Sequence, residues 1–255
     1  YLVTQLLTIS LLLQLESIDY TPPNFTRPLL TDISFSLAAG ESITLTGITG
    51  AGKSTLFRLI NRLSEPTAGQ IVLNGENYRS IPPMTLRQRV MLVSQEPKLL
   101  GMKVREALAY PLQLRSLSTE EIKQRIVTIT EQFEIPTDWF DRTELQLSAG
   151  QKQIVSIARG VITQPQILLL DEPIANLDFT TAERVLTTLN QIARSQQIGT
   201  IVVNHQLELA AKFSDRLLYL QDGKLLIDQV SKSVNWQDLQ QQIQTSEDRS
   251  IAEWE

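Results

Sequence analysis

The sequence predicts an α/β fold with a mainly parallel sheet and an inserted helical segment, and three observations carry that prediction. Ser42-Ile-Thr-Leu-Thr46, a short β-branched run, leads into the glycine-rich stretch Gly47-Ile-Thr-Gly-Ala-Gly-Lys-Ser-Thr55, and Leu56, Leu59, Ile60 and Leu63 follow at helical spacing. Ile167-Leu-Leu-Leu170 is a fully apolar run of the kind buried on both faces of a parallel sheet, and Thr200-Ile-Val-Val203 reads as another core strand. Between Lys98 and about Thr143 strand signals vanish and helical ones take over.

The elements follow in order. Leu11 to Tyr20 alternates apolar and polar residues and reads as a first strand, broken by Thr21-Pro-Pro-Asn24; Leu30 to Leu37 alternates again as a second. Ala38-Ala-Gly-Glu41 turns the chain into the strand before the glycine loop. After the first helix, Glu65-Pro-Thr-Ala-Gly69 leads into Gln70-Ile-Val-Leu73, and Asn74-Gly75 signals a hairpin. Val90-Met-Leu-Val93 is a core strand ending at Ser94-Gln95-Glu96-Pro97. In the helical stretch Ser118-x-x-Glu121 forms a capping box for a helix with Ile122, Ile126, Ile129 and Phe133 on one face. Leu147-Ser-Ala-Gly-Gln151 opens another, with Ile154, Ile157, Ala158 and Val161 in phase, which Pro165 ends. A helix bearing Val185, Leu189 and Ile192 separates the last two core strands. Arg216 to Leu220 and Lys224 to Asp228 flank the hairpin signal Asp222-Gly223. The stretch from Ser231 is rich in Gln, Asp, Glu and Ser and reads as a solvated or frayed helix with no chemistry of its own.

Composition narrows the function classes. The 255 residues suffice for one large domain with a subdomain, and 42% hydrophobic with 20% charged residues is ordinary for a globular protein. A formal net charge of −5 argues against nucleic acid as the main partner, which needs a basic face. Without cysteine, disulfides, zinc–thiolate sites and cysteine nucleophiles are excluded. Leu2 to Leu15 is too polar and short to span a bilayer and lacks a basic leader, so a membrane role is expected to be peripheral; residues 1–10 read as an extension.

The chemistry starts at Gly47 to Thr55, which fits Gly-x-x-x-x-Gly-Lys-Ser/Thr in the strand–loop–helix context a phosphate-binding loop needs. Its glycines let successive N–H groups point inward, and the helix N-terminus adds a positive dipole end. Lys53 is placed to reach β- and γ-phosphates and Ser54 to ligate Mg²⁺. Asp171 and Glu172 follow the buried run at its carboxyl end, where open α/β sheets place ligands. Two adjacent acids there are costly unless a cation or a reaction needs them; Asp171 suits a metal and Glu172 a general base.

With Gln95 in Val93-Ser-Gln-Glu-Pro97, Leu147 to Gln151, Ile167 to Glu172, Ala175-Asn-Leu-Asp178 and His205 in that order, the sequence resembles the ATP-binding subunits of ABC transporters, from about Leu15 to Asp228. The resemblance implies the ABC ATPase fold: a P-loop NTPase core, an antiparallel β subdomain and a helical insert, with the domain at 11–228, the insert at about 98–160 and 229–255 as a polar C-terminal tail. It implies ATP and Mg²⁺ as cofactors, held by Gly47, Ile48, Thr49, Gly50, Ala51, Gly52, Lys53, Ser54 and Thr55, with Tyr20 stacked on adenine. Ser54, Gln95 and Asp171 are the implied metal residues; Glu172, His205 and Gln95 the implied catalytic ones. Ser148, Gly150 and Gln151 would bind ATP held by a second copy, and Asp178 would cross the dimer seam.

The implied partners are a transmembrane permease and a second nucleotide-binding subunit, a head-to-tail homodimer at the cytoplasmic side of a bacterial plasma membrane, with no nucleic acid. A soluble ATPase of metal-cluster assembly is the alternative. A GTPase-type switch is disfavoured, since no Asn-Lys-x-Asp motif occurs. Three departures stand out: Ala149 where the family has Gly, Gln153 in place of a basic residue, and Asn204 before the histidine. Leu99, Leu100 and Met102, just after Gln95, are either packed into the insert or form a docking groove for the membrane partner.

Overall fold

The computed structural model describes residues 11–252; the extension proposed for residues 1–10 lies outside them. Two sheets sit side by side. The first, antiparallel, contains β1 (Leu11–Tyr20), β2 (Leu30–Ala38), β4 (Ala68–Leu73) and the short β5 (Glu76–Asn77), ordered β2-β1-β4-β5. The second contains β3 (Ser42–Thr46), β6 (Val90–Val93), β7 (Ile167–Asp171), β8 (Gly199–Val203), β9 (Arg216–Gln221) and β10 (Lys224–Val230), ordered β10-β9-β3-β8-β7-β6. It is parallel except for the β9–β10 hairpin. The α/β architecture expected from the apolar runs is therefore present, with β3 and β8 buried at every residue.

The helices are α1 (Lys53–Ile60), α2 (Pro83–Arg89), α3 (Val104–Gln113), α4 (Thr119–Gln132), α5 (Ala149–Val161), α6 (Phe179–Gln196), α7 (Leu207–Phe213) and α8 (Trp236–Ala252). One apolar core fills the space between the antiparallel sheet, α1 and one face of the parallel sheet; another joins the opposite face to α3, α4, α5 and α6. At α4 the capping box forms as its sequence dictates: Ser118 N–H donates to Glu121 Oε2 at 2.9 Å and Glu121 N–H to Ser118 Oγ at 3.3 Å. Ile129 and Phe133 are buried, with Ile122 and Ile126 packed alongside.

Some local expectations are corrected. Helix α1 stops at Ile60, leaving Leu63 outside it and 46% exposed, because Arg62 takes a left-handed backbone (φ 55°) and turns the chain. Helix α5 ends at Val161, short of Pro165. Helices α2, α3 and α7 were not separated from their surroundings by periodicity; α2 and α7 have seven residues each, about two turns, which is too few for a pattern to show. The polar C-terminal stretch is helical from Trp236, and it docks: Leu239 is 2% exposed against Leu217 and Tyr219 of β9, with Leu207, Ile227, Val234, Trp236 and Ile243 around it. Trp236, Leu239 and Ile243, with only the leucine fully buried, make a weak stripe among glutamines, which is why composition masks it.

Helix α5 packs closely on β6 and β7. A Cβ on Gly160 would lie 2.6 Å from Val93 Cγ2 and 3.4 Å from Leu168 Cδ1, so the helix approaches as near as it does because no side chain intervenes. Gly160→Ala is expected to lower unfolding free energy by about 1–3 kcal/mol through overpacking, despite alanine's better helix propensity. Urea denaturation measures this; an equal or higher stability would show that Val93 can yield.

Candidate functional site

The parallel register carries three strand ends to one edge of the sheet. Val93 pairs with Leu170, Leu170 with Val202 and Asp171 with Val203, so Gln95, Glu172 and His205 emerge side by side. The Glu172 carboxylate is held from two directions: Gln95 Nε2 donates to Oε2 at 2.8 Å, and His205 Nε2 lies 3.0 Å from Oε1. Glu172 itself has φ 48°, a left-handed conformation uncommon for a residue with a side chain, at the start of the turn that follows β7. Such strain persists only where the surroundings fix it, and here both carboxylate oxygens are engaged.

Facing this cluster is the phosphate loop. Gly47 has φ 153°, and a Cβ there would collide with the Leu220 carbonyl oxygen; Gly52, at φ 107°, would place one 2.7 Å from Leu30 Cδ2. These glycines answer both a conformational and a steric demand. Lys53, buried at the start of α1, donates to the carbonyls of Gly47 (2.7 Å) and Ile48 (2.9 Å), so its ammonium is curled back into the loop. Leu29, Thr49, Gly50, Gly52, Lys53, Ser54, Thr55, Gln95, Glu172 and His205 line one cleft of about 730 Å³. Ala51 and Ile48 support the loop from below, the first buried and the second packed on the core.

Asp171 sits beneath the cleft, hydrogen-bonded to Ser54. Its carboxyl is held above its ordinary pKa, chiefly by burial and further by the charge of Glu172, while Ser54 and Lys53 pull the other way. A half-buried carboxylate strained in this way favours a nearby cation. Among the described residues no group of three or more His, Cys, Asp or Glu could hold a metal by itself. The oxygens that are present, one carboxylate, one hydroxyl and the side-chain carbonyl of Gln95, are hard donors of the number that suits Mg²⁺, which keeps waters and binds phosphate oxygens for its remaining sites.

Not every residue singled out in the sequence meets at this cleft. Tyr20 pairs with Leu30 across β1 and β2, and its carbonyl accepts the Leu29 N–H at 2.8 Å; its ring packs partly on the antiparallel core and does not line the cleft. Ser148, Gly150, Gln151 and Asp178 are also outside it. Ser148 caps α5, accepting from Gln151 N–H at 3.1 Å while its own N–H donates to Gln151 Oε1 at 2.9 Å. Asp178 caps α6, accepting from the Thr181 N–H at 3.0 Å and hydroxyl at 2.7 Å, which holds its carboxyl below the usual range. The two loops touch: a Cβ on Gly150 would lie 3.1 Å from the Asn176 carbonyl oxygen and 3.2 Å from Leu177 Cδ2.

The departures resolve locally. Ala149 is the first residue of α5 with negative φ, so alanine fits without strain. Gln153 is fully buried; Asn176 Nδ2 reaches its Oε1 at 3.4 Å and its own amide nitrogen finds no partner. Asn204 is buried and accepts the Gln206 N–H at 2.9 Å, shaping the turn that presents His205. Of the three apolar residues after Gln95, Leu99 is wholly buried and Met102 packs on the core, so only Leu100 is presented to solvent, 63% exposed at φ 59°. The sequence reading missed its neighbour. Leu145 is 96% exposed in the turn Glu144–Gln146, and the Glu144 carboxylate accepts the Leu99 N–H at 3.0 Å, tying the two turns together. A lone leucine between two polar residues gives no periodic signal.

Comparison with known proteins agrees with this geometry. The family described as ABC transporter matches residues 30–175. The phosphonates import ATP-binding protein PhnC of Treponema denticola is 34% identical over 92% of this chain and 96% of its own length. The methionine import ATP-binding protein MetN of Caulobacter vibrioides is 34% identical over 78% of the chain and 61% of its own length, and the spermidine/putrescine import protein PotA of Legionella pneumophila 35% identical over 78% and 54%. Among solved structures, a dimeric ATP-binding cassette in a post-hydrolysis state with ADP and Pi superposes with a TM-score of 0.79 at 25% identity, covering 87% of this chain and all of that one. The cbiO1 component of the cbiONQ transporter complex of Clostridium perfringens gives 0.80 at 26% identity, covering 88% and 90%. A phosphate loop opposite a glutamate held by a glutamine and a histidine, on a sheet shared with these cassettes, leads to one conclusion: the chain belongs to the ABC transporter family, as an ATP-binding and ATP-hydrolysing subunit.

Proposed function

We propose that this subunit binds ATP with Mg²⁺ in the cleft between the phosphate loop and Glu172, pairs head to tail with a second copy, and drives solute import through a separate permease at the inner face of a bacterial membrane. The observation that supports it most is the shared hold of Gln95 and His205 on the Glu172 carboxylate directly across from Lys53. In this reading Lys53 exchanges its two loop carbonyls for phosphate oxygens, and the loop N–H groups take up the rest of the charge. Glu172 accepts the proton of the attacking water, and His205 and Gln95 keep its carboxylate aimed. The bound Mg²⁺ would supply neutralisation of the phosphate charge, held by Ser54 and Asp171 with Gln95 in reach. Tyr20 is assigned to adenine from outside the lining of the cleft, on the ground that its carbonyl accepts the N–H of the cleft residue Leu29.

Ser148, Gly150 and Gln151 cap a helix N-terminus outside the cleft, and a second copy placing that terminus on the γ-phosphate would complete it, with Asp178 at the seam. The three relatives are import proteins by name, which favours import. No helix among the described residues is long and apolar enough to cross a membrane, in keeping with a separate permease. The exposed pair Leu100 and Leu145, on tied turns that follow Gln95 and precede Ser148, is the surface assigned to it.

Three outcomes test the reading. Lys53→Ala is expected to weaken ATP binding at least about tenfold, from the loss of charge-assisted hydrogen bonds, with the fold retained by circular dichroism; wild-type affinity in a nucleotide titration would remove the loop from the site. Glu172→Gln keeps the side-chain shape but removes the base, so hydrolysis should fall by about 10²–10⁴-fold while ATP binding persists. That variant should elute as an ATP-dependent dimer in size exclusion, whereas a monomer with near-normal turnover would contradict both roles. Leu145→Glu or Leu100→Glu should leave the soluble ATPase rate within about twofold, both residues being exposed and remote in contact from the cleft, yet abolish co-purification with the co-expressed membrane subunit. Undiminished co-purification would place the docking surface elsewhere.

A further inference from the structure

His205 borders two cavities. On one side it lines the nucleotide cleft, where Nε2 meets Glu172; on the other it lines a second cavity of about 490 Å³. The walls of this second cavity come from Thr46, Phe179, Gln206, Leu207 and Glu208 and, from the C-terminal helix α8, Gln240, Ile243 and Gln244. Thr46 is the residue before Gly47 and Phe179 the residue after Asp178, so α8 lies over the approaches to three loops of the site at once. It is anchored both on the sheet and on one of these loops: Leu239 is buried against Leu217 and Tyr219, and Leu207, two residues after His205, packs in the same cluster. The Thr46 hydroxyl, buried in the cavity wall, has no hydrogen-bond partner.

We propose that α8 is a positioning element for the hydrolytic cluster, in which Leu239 clamps the start of α7 through Leu207 and the amides of Gln240 and Gln244 fix the side of the His205 ring turned away from Glu172. The chemistry of imidazole motivates the second part. A carboxylate accepts only, so an Nε2 that bonds ionised Glu172 carries the proton, and the neutral ring's Nδ1 is then an acceptor. A donor on that side, direct or through water in a cavity whose mixed walls include the side chains of Gln206, Gln240 and Gln244, holds the tautomer and the ring orientation together. The family match stops at residue 175, so nothing in it assigns this helix a part in the reaction. The inference rests on the role given above to His205, and the experiment separates the two.

Steady-state ATPase kinetics of the full chain are measured for Gln240→Leu, Gln244→Leu, Leu239→Ala and His205→Ala, and for each α8 variant combined with His205→Ala. Each α8 variant is expected to lower kcat by about tenfold, the scale of a small misplacement of a catalytic group, with KM for ATP within about twofold. On the His205→Ala background the same substitutions should cost nothing further, because the group they position is gone. The glutamine variants touch no buried apolar contact, so they remain informative if Leu239→Ala fails to fold. Unchanged kcat in both glutamine variants, or an equal fractional loss with and without His205, would overturn the proposal. If His205→Ala alone turns over normally, the role of His205 falls instead.

Discussion

The arrangement depends on one constraint, the parallel register of β6, β7 and β8. Each strand contributes its last buried residues to the core and then releases one polar side chain beyond the sheet edge: Gln95, Glu172 and His205. A slip of one residue in any of the three would turn that strand's alternate faces over and remove its polar residue from the cluster. Because Ile167 to Leu170 and Gly199 to Val203 are buried on both faces, the register is enforced by apolar burial along the strands, not by the polar contacts at their ends. The site inherits its precision from a part of the core that never touches the nucleotide.

Much of this was readable because the strongest sequence signals coincide with the strongest structural demands. Fully apolar four-residue runs admit few positions other than a covered parallel strand, and a glycine loop between such a strand and a helix has one obvious use. The capping box at Ser118 is local, so the sequence states it completely. What escaped was whatever depends on distant chain. Leu63 fits the helical phase of Leu56, Leu59 and Ile60, yet the turn at Arg62 ends the helix first; Arg62 is held there by the carbonyls of Tyr78 and Ile81, far along the chain. Leu99 and Leu100 are identical in sequence terms, and only the turn containing Glu144 decides which is buried. Helix α8 carries its docking on Leu239 and little else, which no composition argument detects.

The site itself divides the same way. The loop, the acidic pair, Gln95 and His205 converge as their order suggests, while Tyr20 and the residues around Ser148 and Asp178 stand apart from the cleft in the single chain. The positive φ of Glu172 has no sequence signature, since the same Asp-Glu-Pro stretch is compatible with an extended backbone.

Gly223, in the hairpin between β9 and β10, has a wider bearing than its place in a surface turn suggests. Its N–H donates to the carbonyl of Ala51 in the phosphate loop at 3.2 Å, and its carbonyl accepts the N–H of Thr31 in β2 at 2.8 Å. One residue thus bolts the loop to the antiparallel sheet, and the bolt has no slack, because a Cβ there would collide with the Leu29 carbonyl. The two sheets cannot tilt against each other without breaking one of these bonds. Tilting the sheets apart therefore costs about 0.5–1.5 kcal/mol for each bond broken, a bias that couples the phosphate loop to the antiparallel sheet through a residue that belongs to neither.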